Sequence, residues 1–166
     1  FVEVQHPDLP LELEGLSILH LTDLHIRRGR PAPADLRALG EHLSELPVDI
    51  AVFTGDAMNH PGDETAALAA MELLARSCRA KLGMFGVFGN HDSSGFRARA
   101  DLIPGIRWLR NQCLDLPGLP LRLVAPEDPE DEAVAPGLRH FWLALGSGDL
   151  PPRWGAEREG LRRVLV

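Results

Sequence analysis

The chain has 166 residues, 45% of them hydrophobic and 25% charged, a balance that suits one globular domain and excludes a disordered or collagen-like chain. Seventeen Lys and Arg against twenty-four Asp and Glu leave a net charge of -7. That sign argues against a general binder of nucleic acid or anionic membranes, so no nucleic-acid partner is expected.

In chain order, residues 2–5 read as an edge strand followed by a turn at residues 7–10, and residues 17–21 (Ser-Ile-Leu-His-Leu) as a strand. Residues 35–46 carry Leu36, Leu39, Leu43 and Leu46 at helical spacing, and Pro47 stops them. Residues 50–53 form a short continuous apolar run, as expected of a strand buried on both faces. Residues 63–75 are an Ala/Leu/Met-rich helix with an acidic first turn that suits the helix dipole. A third strand is expected at 84–88 and a helix at 96–102, ended by Pro104 and Gly105. Further strands are expected at 107–109, 121–124 and 141–145. Residues 126–137 hold five carboxylates between prolines and read as a solvated acidic loop, with a cation-binding loop as the alternative.

Strands alternating with helices, at near-equal steps from residue 17 to 50 and from 50 to 84, indicate βαβ units and a largely parallel sheet. No internal repeat appears. Cys78 and Cys113 make neither a CxxC pair nor a disulfide framework, so a reducing compartment is the default. No run approaches the ~20 apolar residues that span a bilayer, and no signal peptide is evident. A cytoplasmic protein is expected, or a peripherally membrane-associated one if an anchor precedes Phe1.

Polar residues gather after each of the three central strands. The first is followed by Thr22-Asp23-Leu24-His25, the second by Thr54-Gly55-Asp56-Ala57-Met58-Asn59, the third by Gly89-Asn90-His91-Asp92. In a parallel sheet these loops leave the same carboxyl edge, where ligands of open α/β sheets bind. Asp23, His25, Asp56, Asn90 and His91 are therefore expected in one pocket. Hard carboxylate and carboxamide oxygens with imidazole suit Mn, Fe or Zn rather than a thiolate-loving metal. Leu24 can point away while Asp23 and His25 reach one ion, Asp56 can bridge two ions, and Gly89 allows a sharp turn. Two ions about 3.5–4 Å apart clamp a phosphate and supply hydroxide near neutral pH. His6, His20 and His42 read as structural or surface residues, and His60 as a neighbour of the second loop. A flavodoxin-like nucleotide binder is disfavoured because no Gly-rich loop follows the first strand.

The order D-x-H (Asp23, His25), G-D-x-x-N (Gly55, Asp56, Asn59) and G-N-H-D (Gly89 to Asp92) resembles the calcineurin-like metallophosphoesterase superfamily. Asp8-Leu9-Pro10, Gly15, residues 19–25, residues 105–112 and residues 121–129 are similar to the bacterial branch that includes the YkuE and YaeI phosphoesterases. The likeness covers about residues 1–129 of a single domain 1–166, with 138–166 divergent. It implies an α/β fold, a two-sheet sandwich flanked by helices that lacks its last strands. It implies a metal-dependent phosphoesterase with a binuclear centre of two divalent ions. Asp23 and His25 would bind the first metal, Asp56 would bridge, and Asn90 would bind the second metal and touch the phosphate. His91 would be catalytic, stabilising the phosphate or protonating the leaving oxygen. The implied substrate is a small-molecule or lipid-linked phosphomonoester or phosphodiester.

The chain departs from that pattern towards its end. The family's Ser-His-like motif and its Gly-His-x-His motif are absent; His140 precedes a strand, and residues 146–149 read Gly-Ser-Gly-Asp. Asn59 stands where many relatives carry Asp, and an amide there can orient the catalytic His without adding charge. The alternative reading is a truncated, catalytically weak or inactive member that serves as a metal- or partner-binding module.

Overall fold

The computed structural model describes residues 2–3, 9–31, 33–125, 142–145 and 163–164. His6, His140, the acidic loop at 126–137 and residues 146–149 lie outside the described residues, as does much of the strand expected at 2–5. The chain divides into two compact units, Ser17–Leu109 and a second formed by Phe1–Leu16 with Arg110–Val166.

Unit Ser17–Leu109 is built of β1 (Ile18–Leu21), α1 (Pro33–Glu45), β2 (Ile50–Phe53), α2 (Glu64–Ser77), β3 (Met84–Gly86), α3 (Ser94–Ala100) and β4 (Ile106–Trp108). The four strands form one parallel sheet in the order β1-β2-β3-β4. α1 packs on α2 and α2 on α3, following the order of the strands. The sheet shows the two-residue alternation of a pleat. Ala51, Phe53, Met84, Ile106 and Trp108 join the helices' Leu43, Ala67, Ala70, Met71, Leu74 and Phe96 in one core. Ile50, Val52, Phe85 and Val87, outside that cluster, are buried as well. All four residues of β2 are thus out of water, as the unbroken apolar run of 50–53 predicts.

Local signals set the helix limits. Pro33 opens α1, where its missing N–H costs nothing, and the helix stops two residues before Pro47. Gly40 lets α1 approach α2, because a Cβ there would lie 2.8 Å from Ser77 Oγ. α3 starts two residues earlier than expected, since the Ser93 side chain accepts the Phe96 N–H at 3.2 Å and caps it. The strand expected at 84–88 ends at Gly86, and Gly86 leaves room for the Trp108 ring, which a Cβ would meet at 2.7 Å.

The second unit holds a 3-10 turn, Leu11–Leu13, and an antiparallel sheet of β5 (Gln112–Asp115), β6 (Leu121–Ala125), β7 (Trp142–Leu145) and β8 (Arg163–Val164), in that order. β6 and β7 match expectation; β5 and β8 do not appear in the sequence pattern. Gln-Cys-Leu-Asp in β5 is largely exposed and has no apolar run. Its place is set by pairing with β6 and by Arg122, whose Nη2 donates to Asp115 Oδ2 at 2.8 Å. Two sheets and three helices give the α/β class expected from the sequence. Among the described residues no helix is long and apolar enough to cross a membrane.

At the amino end of the parallel sheet, Asp49 accepts the Ser17 N–H (2.8 Å), the Ser17 hydroxyl (2.7 Å) and the Lys81 ammonium (2.7 Å). The Lys81 hydrogen bond, then those of Ser17, hold its carboxyl down from an ordinary 3.8 to about 2. A depressed carboxylate adds stability that is complete above its unfolded pKa and is lost as pH falls through the folded one. With the exposed lysine discounted for solvent screening, Asp49→Asn is expected to cost about 1–2 kcal/mol at pH 7. The gap between wild type and variant in urea midpoints should close between pH 4 and pH 2. A gap that does not change with pH would contradict this.

Candidate metal centre

Three loops leave the carboxyl edge of the sheet, and main-chain hydrogen bonds join the first two. Asp23 N donates to Gly55 O (3.1 Å), His25 N to Asp56 O (3.0 Å), Ile26 N to Ala57 O (2.9 Å), and Asn59 N to Ile26 O (3.0 Å). The β1–β2 pairing thus runs on past both strands, but in twisted form. Asp23, His25 and Asp56 all have left-handed backbones, with φ of 53°, 43° and 58°. Such a conformation costs a non-glycine residue roughly 1–3 kcal/mol and persists only where the surroundings dictate it. Here it turns three side chains towards each other. One ligand atom from each of Asp23, His25 and Asp56 lies within 4.8 Å of the others.

The third loop is fastened to the second by a buried charge. Asp92 is 2% exposed. Its Oδ2 accepts the N–H groups of Asp56 (3.0 Å) and Gly89 (2.9 Å), and its Oδ1 those of Ala57 (2.9 Å) and Met58 (3.3 Å). Burial pushes its carboxyl above the usual carboxylate value, and the Asp56 charge adds to this, while the N–H donors of Gly89, Met58 and Ala57 pull the other way. The two loops touch backbone to backbone. A Cβ on Gly55 would lie 2.4 Å from Gly89 N, and one on Gly89 would lie 2.1 Å from Asp56 Oδ1. Gly55 has φ +100°, so both its angle and its space require glycine. Gly89 is not left-handed; it is needed for the close approach rather than for the sharp turn expected of it.

This contact brings His91 to the cluster. Its main-chain N–H donates to Asp56 Oδ1 at 3.0 Å, and its ring meets the His25 ring edge-on, with centroids 4.7 Å apart. His91 Nδ1 lies 2.9 Å from the Asn59 carbonyl oxygen. A carbonyl only accepts, so Nδ1 carries the hydrogen and Nε2 is the nitrogen left for chemistry. The Asn59 side chain does not do the orienting; its Oδ1 accepts from Arg27 Nη2 at 3.4 Å. Asn90 is exposed between Gly89, whose N–H is held by Asp92 of the same loop, and His91, whose N–H is tied to Asp56 of the second. His20 meets Thr54 Oγ1 at 2.8 Å, and His42 and His60 are exposed.

The donor chemistry fits a divalent cation. Two carboxylates and an imidazole form a hard-to-borderline set. His25 Nε2 is 3.5 Å from Asp23 Oδ1, while its buried Nδ1 has no hydrogen-bond partner. The model for calcineurin-like phosphoesterases matches residues 16–143. The chain belongs to the calcineurin-like phosphoesterase family. It is 36% identical over 87 residues to the UDP-2,3-diacylglucosamine pyrophosphatase LpxG of Chlamydia trachomatis, covering 52% of this chain and 26% of that protein. The LpxG of Chlamydia muridarum is 33% identical over the same shares. An uncharacterized metallophosphoesterase of Bacillus subtilis, YkoQ, is 35% identical over 77 residues, 46% of this chain and 27% of that protein. The matches therefore span about a quarter of the length of these curated relatives. They carry the family, not the YkuE/YaeI branch within it.

The sequence pattern gives Asp92 no place in the pocket, although it closes the Gly-Asn-His-Asp run. Nothing in the text of a sequence shows that a carboxylate accepts four main-chain N–H groups from two loops. Asp92→Asn places an NH2 group against two N–H donors. It is expected to cost about 3 kcal/mol, a drop of roughly 6–12 °C in thermal midpoint for a chain of this size. Scanning calorimetry of the two proteins checks this, and equal midpoints would show that the carboxylate is not the fastening.

Proposed function

We propose that the protein is a metal-dependent phosphoesterase whose centre holds two divalent ions, with Mn, Fe or Zn as the candidates. The observation that carries this is the convergence of Asp23, His25 and Asp56 within 4.8 Å, beside a histidine whose ring is already oriented. Asp23 and His25 would hold the first ion, Asp56 both, and Asn90 the second. Such ions, when bound, supply Lewis acidity towards phosphate oxygens and an activated water.

The chain's own residues supply positioning and a proton site. The Asn59 carbonyl keeps hydrogen on Nδ1 of His91, so Nε2 is the atom that can donate to, or stabilise, an oxygen of the phosphate. The main-chain N–H of His91 occupies one lone pair of Asp56 Oδ1 and fixes that carboxylate. The substrate is a small-molecule or lipid-linked phosphate ester. The lipid-linked class is supported by the name of the LpxG relatives, UDP-2,3-diacylglucosamine pyrophosphatase. A cytoplasmic or peripherally membrane-bound location accords with that class.

Manganese titration by calorimetry and turnover of 4-nitrophenyl and bis(4-nitrophenyl) phosphate test the reading together. Hydrolysis is expected with manganese and should vanish with a chelator. His91→Ala should lower kcat by about 100-fold or more while metal binding persists; Asp56→Ala should lose both. Two ions per chain support the binuclear centre. Metal binding without turnover of either ester would overturn the enzyme reading and leave a metal-binding module.

A further inference from the structure

We infer that Arg97 is a positioning residue for His91, an inference that rests on the phosphoesterase reading above. The turn that carries Asn90 and His91 runs from Gly89 to Asp92. Arg97 Nε donates to the Asp92 carbonyl at 2.8 Å, and its Nη2 donates to the Gly89 carbonyl at 3.0 Å. One guanidinium therefore grips both ends of the turn. Gly89 O also accepts the Asp92 N–H at 3.2 Å, so the Arg97 fork reinforces the bond that closes the turn. A planar guanidinium can make both bonds at once, whereas a lysine ammonium is a single point of attachment.

The grip is rigid at its root. Arg97 lies midway along the short helix α3, whose start is capped by Ser93. The Ser93 hydroxyl donates to Glu64 Oε1 at 2.9 Å, tying that cap to the start of α2. The neighbouring Phe96 is fully buried in the core. The guanidinium carbon also sits 5.7 Å from the centroid of the Phe88 ring, which stacks on Trp108 at 4.4 Å. Asp92 fastens the turn through its carboxylate from one side; Arg97 fastens its carbonyls to α3. Between those two fixings stands His91.

Displacing a catalytic group by about 1 Å can cost 100-fold in rate. Arg97→Gln is thus expected to lower kcat at least tenfold with KM changed less than about threefold, and Arg97→Lys to recover only part of the loss. The affinity for the first manganese ion should fall less than kcat, because Asp23, His25 and Asp56 lie on other loops and the His91 N–H holds only one oxygen of Asp56. Amide hydrogen exchange is read on the same proteins. Exchange at Gly89 and His91 should quicken in Arg97→Gln while the amides of β2 keep their protection. Unchanged exchange at His91 overturns the inference, whether or not the wild type turns over. A uniform loss of protection across the sheet also overturns it, because it would mark a general packing role. Absence of manganese-dependent turnover in the wild type sinks the phosphoesterase reading instead, a failure that the exchange data separate from this one.

Discussion

The site depends on one buried carboxylate. Asp92 is almost wholly out of water and is satisfied by N–H groups from both the second and the third loop. A charge in such a place is tolerable only if hydrogen bonds replace its hydration. The four donors do so, and as a result two loops that are distant in sequence are held in backbone contact. The glycines at 55 and 89 follow from that contact, since any side chain would enter the space it closes.

With the loops locked, local strain becomes affordable. Asp23, His25 and Asp56 each hold a left-handed backbone that a free loop would abandon. Their main-chain bonds run across to the neighbouring loop rather than within their own, so the conformations support one another. The same frame sets the His91 tautomer through a carbonyl oxygen, a partner supplied by chain path and independent of which side chain residue 59 carries.

The parallel sheet was legible because β2 is a pure apolar run and because the helices repeat leucine and alanine at helical spacing. Convergence of the polar loops followed from the topology: strand ends on one edge bring Asp23, His25 and Asp56 together. What escaped were features held by partners rather than patterns. β5 has no alternation and exists by pairing with β6. α3 begins at a serine cap that looks like any loop serine. Arg97 reads as a surface arginine until its two carbonyl partners are seen. The motif points to the Asn59 side chain as the partner that orients His91, yet the main chain of the same residue fills that place.

The strand order β1-β2-β3-β4 has a consequence for assembly. Every neighbour in the sheet is also the next strand in the chain, so each pairing closes one βαβ step, as Ile18 with Ile50 and Ala51 with Met84. Donors therefore join the cluster in the order in which a ribosome releases them: Asp23 and His25, then Asp56, then the turn with His91. The cluster of Asp23, His25 and Asp56 therefore needs only the first two strands, whereas its contact with His91 waits for the third, so that contact marks the completion of this sheet.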